Sequence, residues 1–165
     1  MRRFALIMFL SILSLAFAAA VGAARPTVER FHDAGSFDIN CGTFLLHEDF
    51  VVDDRVTTFF DQAGNPVSVQ IHSHFVGVIT NPAGETFRDP GFLTTFIDLA
   101  GTPDDPSDDT VTLAGLVFGI TVPGVGIVAQ DTGLITFNPD GSVVIHGPHQ
   151  VFMQGLESLI CPVLG

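Results

Sequence analysis

Among its 165 residues the chain has no lysine, no tryptophan and no tyrosine. The missing lysine excludes Schiff-base and lysine-nucleophile chemistry. Without Trp or Tyr, aromatic burial rests on Phe, a ring that needs no polar partner, and 13 of the 16 Phe lie beyond residue 24. Positive charge is equally scarce. Beyond residue 24, Arg25, Arg30, Arg55 and Arg88 stand against all 18 acidic residues, a net charge of −14. A domain so acidic repels phosphate backbones and anionic bilayers, which argues against nucleic acid as a partner. A Gly-x-Ser-x-Gly elbow, a His-Glu-x-x-His helix and a glycine-rich phosphate loop are all absent.

What is present begins with a leader pattern. Arg2-Arg3 is followed by an apolar run from Phe4 to Phe17 and small residues to Ala24. This charged, apolar, small order predicts a cleaved secretory signal at residues 1–24, with cleavage after Ala23 or Ala24. The alternative is an uncleaved membrane-spanning helix. With cleavage, the mature part is residues 25–165, one domain by its length, secreted, with no remaining membrane span. Cys41 and Cys161 are the only cysteines. In an exported protein they most simply form one bridge, the alternatives being free thiols or an intermolecular link.

Turn chemistry punctuates the remainder. Asp61-Gln62-Ala63-Gly64, Asn81-Pro82-Ala83-Gly84 and Asn138-Pro139-Asp140-Gly141 share one mould: a side-chain acceptor opens the turn and Gly supplies positive φ where the next strand begins. Between such turns, Val-, Ile-, Thr- and Phe-rich runs predict strands near Ser36–Val52 (broken around Cys41-Gly42), Arg55–Asp61, Pro66–Thr80, Glu85–Leu99 (interrupted by Pro90-Gly91), Thr110–Val122, Gly126–Phe137 and Ser142–Gln150. In the third, Val67, Val69, Ile71 and Phe75 alternate with Ser68, Gln70, His72 and His74, marking a dry and a wet face. Residues 150–159 leave room for one short helical turn at most. The expectation is an all-β, single antiparallel meander of 7–8 strands, closed or nearly closed into a β-barrel, with a β-sandwich as alternative. Closure is favoured because a Cys41–Cys161 bridge brings the two ends of the meander together.

Three constellations invite chemistry. His72-Ser73-His74 sets two imidazoles on one strand face, which suits zinc, with His146 or His149 as a distant third ligand. Asp104, Asp105, Asp108 and Asp109 crowd one loop, which suits calcium, although the spacing is not that of an EF-hand. Asp131-Thr132-Gly133 matches the aspartic-protease tripeptide, but the chain has no second copy to share a proton. No cofactor is required by any of these, and the bland reading of each is a solvated face, a hairpin tip and a turn. The runs Leu93–Ile97 and Leu113–Phe118 are apolar or Thr-containing on both strand faces, so Phe96, Leu113, Leu116 and Phe118 are candidate walls of a ligand pocket.

The segments Phe37-Asp38-Ile39-Asn40-Cys41-Gly42, Phe59–Pro66, Val122–Asp131, Gly147-Pro148-His149 and the ending Cys161-Pro162-Val163-Leu164 resemble a group of exported β-domain proteins of actinobacteria and related soil bacteria, to which no activity is assigned. The resemblance implies export and a single domain type, and it carries no functional residue across. The leading functional expectation is non-enzymatic binding of a small apolar ligand or an extracellular surface partner. The rivals are a metal-dependent or cyclase-like barrel enzyme using His72 and His74, and a structural envelope protein.

Overall fold

The computed structural model describes residues 24–165; the expected leader, save Ala24, lies outside them. Seven strands follow one another: β1 (Thr27–Asn40), β2 (Leu45–Phe60), β3 (Pro66–Thr80), β4 (Thr86–Asp98), β5 (Thr110–Val122), β6 (Gly126–Phe137) and β7 (Val143–His146). Each pairs antiparallel with the next, giving one seven-stranded meander sheet in sequence order. The moulded turns form as expected. Asp61, Asn81 and Asn138 each accept the amide of the glycine three residues on, at 3.2, 2.9 and 2.9 Å, and Gly64, Gly84 and Gly141 all have positive φ.

The expected barrel closure is not made: β1 and β7 do not pair, and the sheet is open. The Cys41–Cys161 bridge does form, with Cα atoms 5.4 Å apart, but it joins the chain ends by another route. After β7 the chain forms two helices, α1 (Gln150–Gln154) and α2 (Leu156–Leu164). Helix α2 packs against β6 and carries Cys161 back to the β1–β2 turn, so the bridge needs no β7–β1 ladder. Its inward positions Leu156, Leu159, Ile160, Val163 and Leu164 follow helical spacing and pack on one hydrophobic cluster with Ile39, Leu46, Ile79, Phe87, Ile120, Val122 and Ala129. The Asn81 side-chain amide donates to the Leu164 carbonyl at 3.1 Å, tying the helix end to the β3–β4 turn. Among the described residues no helix is long and apolar enough to cross a membrane.

The cluster defines an inner face covered only at the end where α2 lies. At the other end the same face is open, and Phe31 of β1 is 54 % exposed. Strand pairing assigns the faces: Leu46, Glu48, Phe50 and Val52 of β2 lie inside, with Ile79, Gly77 and Phe75 of β3 and Phe87, Asp89 and Gly91 of β4. The two-faced apolarity of β5 has a local cause. A bulge leaves Val117 without a partner on β6, so Leu116 pairs with Thr132 and Phe118 with Asp131. The extra residue reverses the parity of the strand. Val111 and Leu113 before it, and Phe118 and Ile120 after it, all fall inside.

Gly115 and Gly133 face each other across β5 and β6, at φ +133° and +128°, a region open essentially to glycine alone. A Cβ on Gly133 would lie 2.1 Å from the His146 carbonyl oxygen. Gly133→Ala should therefore cost about 2 kcal/mol or more. An unchanged thermal midpoint would contradict this geometry.

Candidate functional site

The inner face holds an apolar cavity of about 220 Å³ lined by Val52, Ser73, Phe75, Gly91, Leu93, Leu116, Val117 and Phe118. Its position follows from two local features. The β4–β5 ladder ends at Phe92 and Leu116, one residue beyond Pro90-Gly91, and Pro90 has no amide to continue it. Past that point the two strands separate, and the β5 bulge turns Phe118 into the gap. Gly91 keeps the floor low: a Cβ there would lie 3.0 Å from the Val117 carbonyl oxygen and 3.3 Å from Phe75.

One cross-strand row toward α2, the floor becomes Phe50, Gly77 and Asp89. Glu48 stands beside this row, and Glu48 and Asp89 are both completely buried. Asp89 accepts the Gly119 amide at 3.1 Å, a donor freed where the β4–β5 ladder has stopped. Its second oxygen and both oxygens of Glu48 have no hydrogen-bond partner. Burial pushes the Glu48 carboxyl up to about 7, with a further push from the Asp89 charge. Burial pushes Asp89 up to about 6, against the opposing pull of the Gly119 amide. Glu48 fits because Gly77 has no side chain: a Cβ on Gly77 would be 2.1 Å from Glu48 Oε1 and 2.9 Å from the Phe75 ring. The ring edge of Phe75 and the Glu48 carboxyl thus share the space over Gly77.

Of the pocket residues expected from sequence, Leu116 and Phe118 line the cavity. Leu113 is on the inner face, paired with Thr95, but outside the cavity wall. Phe96 pairs with Gln70 and Thr112 on the outer face and is 45 % exposed. His72 and His74 also stand on the outer face. His72 Nδ1 is 3.1 Å from Thr94 Oγ1, and His74 stacks on Phe92 with centroids 4.6 Å apart. The acidic loop is occupied with its own turns. Asp105 accepts the amide and hydroxyl of Ser107 at 3.0 and 2.6 Å, and Asp108 takes the hydroxyl of Thr102, while Asp104 and Asp109 sit in the same loop. Among the described residues no three His, Cys, Asp or Glu side chains are grouped to hold a metal ion. Asp131 is engaged as well: its carboxylate accepts the amides of Val151 and Phe152 at 2.7 and 3.0 Å, fixing the start of α1.

No motif singles out Glu48 or Asp89. The available signal is parity: in Leu46-His47-Glu48-Asp49-Phe50, Glu48 occupies the apolar side of the alternation. Neither the family models, the curated proteins nor the solved structures include a match to this chain.

Proposed function

We propose that this chain is an exported β-domain that binds a small apolar molecule in the inner-face cavity. The observation that carries the reading is the cavity itself, walled by Phe75, Leu93 and Phe118 beside the bulge of β5. At about 220 Å³ it exceeds the roughly 150 Å³ that suffices for benzene in an apolar protein cavity. Export is supported by the leader pattern at residues 1–24 and by a disulfide of the kind that persists in oxidising compartments.

A neutral, environment-sensitive dye such as Nile red tests the reading. Binding should be saturable, should be lost in Leu93→Trp, where the larger ring fills the cavity, and should persist in Phe92→Ala on the outer face. The opposite pattern would place binding on the exposed outer-face apolar residues Val51, Val76, Phe92 and Phe96 and favour a surface partner instead.

A further inference from the structure

We propose that the preferred ligands of this cavity are small apolar amines, with Glu48 and Asp89 supplying the counter-charge. This rests on the reading of the cavity as a binding site and adds the chemistry of the occupant. Two carboxyl groups are completely buried, and three of their four oxygens have no partner. Such a group is costly to bury without one.

Among the described residues no arginine is placed beside them. Arg30 and Arg55 pair with each other on the outer face, Arg88 pairs with Val78 there, and Arg25 precedes β1. The neighbouring inner positions on β1, β2, β3 and β5 are Phe37, Ile39, Phe50, Gly77, Ile79, Phe118 and Ile120, none of them charged. Strand β6 contributes Asp131, whose oxygens are already taken, and the only charged residue of α2 is the exposed Glu157.

The carboxyls lie on the same face as the cavity, one cross-strand row away and outside its lining. Gly91 in the cavity wall lies two residues from Asp89 on the same strand face, about 7 Å along the strand. Phe75 lines the cavity, and its ring edge and Glu48 Oε1 both lie over Gly77. A cation reaching past that ring would meet the carboxyl oxygens of Glu48 and Asp89. Burial holds both carboxyls partly protonated near neutrality, so amine binding should strengthen as pH rises above 7.

The test compares cyclohexylmethylamine with cyclohexylmethanol, close in shape, by calorimetric titration of the residue 25–165 protein. At pH 8 the amine should bind at least tenfold more tightly than the alcohol. The preference should shrink at pH 5 and disappear in Glu48→Gln/Asp89→Asn, which should still bind the alcohol. Equal affinities at pH 8, tighter binding of the alcohol, or an amine preference surviving in the double variant would each overturn the proposal while leaving the cavity reading intact. If neither compound binds and Nile red also fails, the cavity reading falls, and this inference with it.

Discussion

Replacing Cys41 by serine is expected to lower the unfolding free energy by about 5 kcal/mol, the chain-entropy value for a loop this long. The bridge spans a sequence separation of 120 residues, so its removal frees nearly the whole described chain in the unfolded state. That loss rivals the entire stability of a typical domain. The folded state suffers as well. Helix α2 has nine residues with Pro162 inside it, and a helix so short does not hold itself together in water. Once untethered, it leaves Ile39, Leu46 and Ile79 without a cover. Denaturant unfolding under oxidising conditions measures the effect, and reduction of the wild type should reproduce it. A Cys41→Ser midpoint equal to that of wild type would contradict this account.

Stability should fall as pH rises from about 4 to about 7, and Glu48→Gln should remove much of that fall. Folding raises the Glu48 carboxyl from its ordinary 4.5 to about 7 and Asp89 from 3.8 to about 6. Below the unfolded values both groups are neutral in either state and cost nothing in ionisation. Above them the unfolded chain releases its protons first, so each rise in pH favours unfolding until the folded groups ionise too. For Glu48 the shift corresponds to at most about 3 kcal/mol. His47, raised chiefly by its hydrogen bond to Asp38, acts in the same direction on the exposed outer face. Asp61, Asp105 and Asp140 are lowered by hydrogen bonds within their turns, so they act in the opposite direction and only in the more acidic range. Unfolding midpoints of wild type and Glu48→Gln between pH 4 and 8 separate these contributions. Parallel profiles for the two proteins would show that Glu48 is not the origin.

The strands most legible in the sequence are those fenced by turn residues. Pro66–Thr80, Thr110–Val122 and Gly126–Phe137 have the same limits in both readings, because Gly64, Asn81-Pro82 and Pro123-Gly124 bound them. The start of β1 at Thr27 lies nine residues before the expected Ser36. It is an edge strand exposed along almost its whole length, so burial imposed no alternation on it. Asp53-Asp54 reads as a break, yet β2 runs straight through it. Asp53 points out to His32 Nδ1 at 2.7 Å, while Asp54 pairs with Ser73 on the inner face. Helix α2 is hidden in sequence by Gly155 and Pro162, although Leu156, Leu159, Ile160 and Val163 carry its period. The carboxyl pair is the least legible feature. An acidic residue within a strand looks solvated until the register states which face it occupies, and register belongs to the sheet as a whole.

The meander also sets an order of assembly. Every ladder joins strands adjacent in sequence, so the sheet can zip up hairpin by hairpin with little loop-closure cost. The contacts of α2 are of another kind: the bond from Asn81 to Leu164 spans 83 positions and the disulfide 120. A chain emerging N-terminus first from a ribosome or a translocation channel therefore has Leu46, Ile79 and Phe87 uncovered until residues 156–164 arrive. Throughout that interval the apolar end of the sheet is open to chaperones or to neighbouring nascent chains, and oxidation of Cys41 has no correct partner.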